Sequence, residues 1–177
     1  MTNNRFNELM HGVQNQDMDA LKEIYNEYAS YVYHIAFSII GQKEDSEDVA
    51  SDVFVKLWDK SVQFKPGEAH KAYLATITRN LAIDFLRKQN RIVSLETNDE
   101  INVEIPSEDD LEEAVLNSIA IEDLLSKLKP DLREILHLKF FGGMTLSEIA
   151  SVLNVPLGTV SWKYATAQKV LRGYGYA

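Results

Sequence analysis

Thr145-Leu146-Ser147-Glu148-Ile149-Ala150-Ser151-Val152-Leu153-Asn154-Val155-Pro156-Leu157-Gly158-Thr159-Val160 decides the fold. Thr145 stands three residues before Glu148, the spacing at which the two side chains each satisfy a free backbone N–H at a helix start. A short helix over Leu146 to Leu153 is expected. Asn154 tolerates the left-handed backbone that a tight turn demands. Pro156 and the residues after it open a second helix, continuing through Ser161, Lys163, Ala167 and Leu171. Small Ala150 suits a close helix crossing, and Val155 and Val160 bracket the turn, so the pattern is a helix-turn-helix. A structural αα corner would share these features. The second helix offers Leu157, Thr159, Ser161, Trp162 and Lys163 to a major groove, with little positive charge.

Upstream, Leu124, Leu125, Leu128, Leu132, Ile135, Leu136 and Phe140 keep helical spacing around Pro130, which fits the first turn of a new helix ended by Gly142-Gly143. Nearer the N-terminus, Leu21, Ile24, Tyr25, Tyr28, Val32, Ile35 and Ile39 form one buried stripe that stops near Gly41. Val49, Val53 and Leu57, with Ala50 and Phe54, form another, and acidic residues from Glu44 to Asp52 suit the start of that helix. Lys65-Pro66-Gly67 breaks the chain before a third helix, expected from about Glu68 to Asn90, with Leu74, Ile77, Leu81 and Phe85 on its inner side. No strand-like alternation of useful length occurs, so the fold is read as all-α.

Of the 177 residues, 45% are hydrophobic, enough for one medium core or two small ones. The net charge of −9 speaks against nucleic acid at face value. Its distribution changes that reading. Residues 1–95 carry 11 Lys/Arg and 13 Asp/Glu, residues 96–121 carry none and 9, and residues 122–177 carry 7 and 5. Two helical domains, 1–95 and 122–177, are therefore expected on either side of an acidic linker, 96–121. Cysteine is absent and the four histidines are scattered, so neither a metal nor another cofactor is expected. The longest apolar run, Tyr31 to Ile40, is too short to span a bilayer, and a cytoplasmic protein without membrane insertion is expected.

On the outer side of the third helix fall Thr76, Arg79, Asn80, Ile83 and Arg87, with Lys71, Lys88 and Arg91 adding charge. Arginine forks bind phosphate or a guanine edge and asparagine pairs with a base edge, so this face can read nucleic acid. An ordinary solvated helix face would look the same.

Asp45-Ser46-Glu47-Asp48-Val49 followed by Val53-Phe54-Val55-Lys56-Leu57-Trp58 resembles region 2.2 of sigma-70-type factors. Ala72-Tyr73-Leu74 with Ile77 to Asp84 and Arg87-Lys88 resembles regions 2.3 and 2.4, and the helix-turn-helix resembles region 4.2. Without a large middle domain, the chain resembles the extracytoplasmic-function group. The resemblance implies a transcription initiation factor and not an enzyme, with core RNA polymerase (β′ clamp and β flap), promoter DNA and an anti-sigma factor as partners. It implies that Asp45, Asp48, Asp52, Phe54 and Trp58 dock on the polymerase clamp. Phe64 and Lys65 of the loop before the third helix would cradle an extruded base, with Thr76, Arg79, Asn80, Arg87 and Lys88 on the minus-ten element. Leu157, Thr159, Ser161, Trp162 and Lys163 would face the minus-thirty-five element, and Asp99, Glu100 and Glu104 of the linker would occupy basic polymerase surface. Phe64, Phe54 and Trp58 could instead serve as core, and the linker as a solvated spacer. The recognition helix departs from the family, holding Ser161 where a basic residue is usual, Trp162-Lys163 in place of a Ser-Arg pair, and Thr166 and Gln168 where further arginines follow. A regulator that binds an operator without polymerase, or an acidic protein that sequesters a partner, are the competing readings.

Overall fold

The computed structural model describes residues 1–66, 69–96, 125 and 128–173, without the side chains of 91–96. Leu124 and the acidic linker, apart from Glu96, whose backbone ends the fourth helix, lie outside the described residues. The described residues form, in order, the α-helices α1 (Asn3–Gln14), α2 (Met18–Ile40), α3 (Lys43–Asp59), α4 (His70–Glu96), α5 (Pro130–Phe140), α6 (Leu146–Leu153) and α7 (Leu157–Gly173), with a 3₁₀ turn at Ser61–Gln63. Among the described residues there is no strand.

Local signals set most boundaries. Asp17 caps α2 by accepting from the Asp19 and Ala20 amides, and Gly41 closes it with φ +80, the left-handed conformation glycine adopts without penalty. Thr145 accepts from the Glu148 amide while the Glu148 carboxylate accepts from the Thr145 amide, and Asn154 ends α6 at φ 54. Gly142 is needed for space, because a Cβ there would stand 2.2 Å from the Leu138 carbonyl oxygen. The third expected helix differs at both ends. It starts at His70, whose amide is held by the Asn3 side chain at 3.3 Å, and runs past Asn90, since residues 91–96 contain no helix breaker.

Helix α1 was not anticipated, although Phe6, Leu9, Met10 and Val13 follow helical spacing and all four are buried. Phe6 stands at the centre of the N-terminal core, 5.9 Å from the Tyr28 ring, 5.8 Å from Phe64 and 5.3 Å from His70. Two aromatic positions depart from the expected stripes. Tyr25 is half exposed because it leans on Phe54 of α3, and Phe140 points outward while Phe141 turns in.

The C-terminal helices do not keep a core to themselves. Ile135, Leu138, Met144, Ile149, Val152 and Val160 join Ile24, Val32, Ile35, Leu57 and Leu74 in one contiguous apolar cluster. Leu125, Leu128, Leu132, Leu136 and Ala167 make only a small separate one. Helix α5 packs on α2, and α6 packs on α4. Polar links reinforce that seam: Arg133 Nε donates to the Ser38 carbonyl at 2.8 Å and Lys71 Nζ to the Gly142 carbonyl at 3.1 Å.

Truncating Phe6 removes the ring on which Tyr28, Phe64 and His70 converge. Phe6→Ala is expected to cost about 3–5 kcal/mol of unfolding free energy, measured by urea denaturation. A loss below about 1 kcal/mol would show α1 to be peripheral.

Candidate polymerase and nucleic-acid surfaces

Three outward faces carry the residues singled out by sequence. On α3, Asp48 and Asp52 are exposed and Asp45 is partly so. Ser46 is buried on the opposite side, its hydroxyl donating to the Gln42 carbonyl. This division follows from helical spacing, because Val49, Val53 and Leu57 anchor the inner side. Phe54 is 6% exposed and meets Tyr25 edge-on at 4.8 Å. The two rings, with Ala29, Ser30, Tyr33 and Ala50, line a groove of about 530 Å³ between α2 and α3. Trp58 is partly buried against the core, and Val55 is exposed beside it. Tyr25 and Val55 were not singled out by sequence: one was assigned to the core stripe and the other lies between two acidic turns.

The second face lies on α4 and the loop before it. Thr76, Asn80, Arg87 and Lys88 are exposed, as are Gln63 and Lys65 of the loop. Phe64 between them is 5% exposed and packs on Phe6 and on Tyr73, so it supports the loop from beneath. The buried side of α4 is formed by Leu74, Ala75, Thr78 and Ala82, with Ile77, Leu81 and Phe85 at its margin. Thr78 is accommodated there by donating to the Leu74 carbonyl at 2.8 Å. Arg87 pairs with Asp84 at 3.2 Å, an exposed i,i+3 contact of small energetic weight.

Arg79 stands apart from its neighbours. Its Nε donates to the Glu134 carboxylate of α5 at 2.9 Å, across the seam between the two groups of helices. Glu134 is largely enclosed, and burial raises its pKa although Arg79 pulls it down. Sequence reasoning gave Glu134 no role, because nothing in a pattern of spacings joins residues 55 positions apart.

The third face is the outer side of α7. Trp162 is 66% and Leu157 50% exposed, while Thr159 and Ser161 are half-buried. Lys163 is drawn to Asp131 of α5 at 3.0 Å, and that contact holds the Asp131 carboxyl below its usual range. The helix that would enter a groove therefore presents an indole and short side chains, with its nearest cation already paired.

By fold and surface the chain is a helix-turn-helix protein whose first four helices carry an acidic face and a basic one. The family model for sigma-70 region 2 matches residues 24–92, and that for sigma-70 region 4 matches residues 118–163. The chain is 28% identical over 161 residues to the ECF RNA polymerase sigma factor SigE of Mycolicibacterium smegmatis, covering 89% of this chain and 62% of that protein. It is 26% identical over 176 residues to SigW of Bacillus subtilis, another ECF RNA polymerase sigma factor, covering 90% and 91%. Among solved structures, CnrH in complex with the cytosolic domain of CnrY is similar with a TM-score of 0.69 at 21% identity over 98% of this chain and 97% of that one. The sigma factor RpoE in complex with the anti-sigma factor NepR from Bartonella quintana gives 0.67 at 22% identity over 86% and 94%. The chain belongs to the sigma-70 family, among its extracytoplasmic-function RNA polymerase sigma factors.

The helix-turn-helix depends on its capping box, which also holds the Glu148 carboxyl below its usual range through the Thr145 backbone and hydroxyl bonds. Thr145→Ala is expected to lower stability by about 1 kcal/mol, read as a lower thermal midpoint, with no change in helix content at 25 °C.

Proposed function

We propose that this sigma factor docks on core RNA polymerase through the acidic face of α3 and reads promoter DNA with the faces of α4 and α7. In the structure described here, we infer, it is at rest, with its minus-ten surface partly covered. The observation that carries the reading is the Arg79–Glu134 contact. It ties the central cation of the α4 face to the helix-turn-helix unit and leaves Asp48 and Asp52 of α3 open to solvent. A factor that meets polymerase before DNA needs that order of accessibility.

On polymerase, Asp45, Asp48 and Asp52 would supply charge to the β′ clamp, and the Tyr25–Phe54 groove with Trp58 would supply apolar contact. Helix-turn-helix and α4 would then separate. Arg79, Asn80 and Arg87 would hold the minus-ten strand, with Lys65, Thr76 and Lys88 beside them. Bases lost from the stack are captured by binding rather than by hydrolysis, offsetting a few kcal/mol of unstacking; on this reading the chain is a binding factor and not an enzyme. Buried Phe64 would brace the loop that receives an extruded base.

At the minus-thirty-five duplex, Leu157, Thr159, Ser161, Trp162 and Lys163 would face the major groove, with the β flap behind them. Few free cations there mean that phosphate attraction contributes little and apolar contact more, as with thymine methyl groups. An anti-sigma factor is the expected regulator, supported by the similar solved structure in which the sigma factor RpoE is bound to the anti-sigma factor NepR. A factor acting on chromosomal promoters would work in the cytoplasm; no helix among the described residues is long and apolar enough to cross a membrane.

Single substitutions separate the two activities. Arg79→Ala or Asn80→Ala is expected to abolish open-complex formation while core polymerase is still bound, and Asp48→Lys to weaken core binding about tenfold or more, as removal of an interfacial charge pair does. Permanganate footprinting and co-migration with core polymerase read these out. Normal promoter opening by Arg79→Ala would contradict the assignment of α4.

A further inference from the structure

At the seam between α2 and α5 lies a cluster of rings that polymerase docking and DNA reading do not use. His137 of α5 is fully buried, and neither of its ring nitrogens has a hydrogen-bond partner among the described residues. Phe141, one turn later, stacks on it with centroids 5.1 Å apart at 29°. The same phenyl ring stacks on His34 of α2 at 4.2 Å and 17°, and the two imidazoles lie 6.3 Å apart. One imidazole comes from each group of helices, and parting the groups exposes both to water.

We propose that His137 is an acid-sensitive latch: its protonation opens the seam between α2 and α5 and frees Arg79 from Glu134, so that mild acid favours the DNA-competent form. The inference rests on the resting arrangement proposed above.

The geometry explains why a cation does not fit there. An imidazolium would bring two N–H donors into a place with no acceptor for either. From α2 it would face His34, and from its own helix Arg133, whose Nε is turned to the Ser38 carbonyl. The carboxylates on α5 are engaged with other elements: Glu134 with Arg79 of α4 and Asp131 with Lys163 of α7. Lys71 of α4 is directed at the Gly142 carbonyl. No carboxylate is among the groups that act on the ring; burial first, then His34 and Arg133, push its pKa down to about 3.

In the open form the ring meets water and returns to about 6.5, its ordinary value. The closed form therefore binds the proton more weakly. Closure is at full strength above the open-form pKa and is lost progressively as pH falls below it. From this one group, the ratio of open to closed chains rises about tenfold between about pH 7.5 and about pH 5.5.

The chain has no cysteine, so Lys60→Cys and Lys169→Cys, both at exposed positions, accept a donor and an acceptor dye on the full-length protein. Read at a urea concentration that leaves open and closed chains about equally populated at about pH 7.5, energy transfer is expected to report the tenfold shift in the otherwise native chain and less than about a twofold shift once His137→Phe is added. An equal pH response in both, or none in the native background, would overturn the latch. Should His137→Phe fail to keep its helical circular dichroism, NMR titration of the native His137 ring decides. A ring that stays neutral in the closed chain to below about pH 5 supports the latch. One that titrates near 6.5 without any change in energy transfer overturns it. Core polymerase binding at neutral pH is measured in parallel: a flat pH response with binding intact removes the latch alone, and absence of binding removes the sigma-factor assignment.

Discussion

Burial of Ile135, Leu138, Met144 and Ile149 in the cluster that already holds Ile24, Val32, Ile35 and Leu74 joins the helix-turn-helix to the N-terminal helices. Each of these side chains contributes about 1.5–3 kcal/mol relative to exposure. The polar links across the same seam, Arg79 to Glu134, Arg133 to Ser38 and Lys71 to Gly142, contribute about 0.5–3 kcal/mol each. Apolar burial therefore sets the strength of closure. The polar links select which residues meet, and a mis-registered seam would leave buried Glu134 without Arg79, the kind of unpaired charge that is strongly disfavoured. The helix-turn-helix has only a small core of its own, so under the proposed function what it gains by docking would have to be recovered on polymerase or DNA.

That requirement links stability to function. Closure engages Arg79 while Asn80, Thr76 and Arg87 stay exposed and the acidic side of α3 stays free. A partner that meets α3 first and then competes for the seam would convert binding energy into exposure of the DNA face, a population shift driven by its differential affinity for the open form. The low charge of the outer side of α7 suits such a device, because a helix with so few cations would not hold duplex DNA by phosphate attraction alone.

Features governed by nearest neighbours were legible in the sequence. The Thr145–Glu148 box, the left-handed Asn154, the Gly41 stop and the α3 stripe each depend on residues within a turn or two, and the structure shows each in place. Where a helix has two partners, spacing was a poorer guide. Leu74, Ala75, Thr78 and Ala82 took the centre of the α4 contact rather than Leu74, Ile77, Leu81 and Phe85. Of the neighbouring rings Phe140 and Phe141, the second turned inward to fill the space between His34 and His137. Helix α1 was missed although its four apolar residues were plain, because polar residues surround them. What each surface meets was not legible at all, since periodicity reports that a face is buried and not against what. Glu134, Arg133 and His137 owe their roles to residues more than 50 positions away.

We propose that two helical units, packed on each other when free, become a promoter-selecting factor on core RNA polymerase. The decisive experiment maps the 5′ ends of transcripts made from genomic DNA by core polymerase with and without the purified chain. A small set of discrete start sites that depend on the chain is expected. Unchanged, scattered initiation at every ratio of chain to polymerase would contradict it.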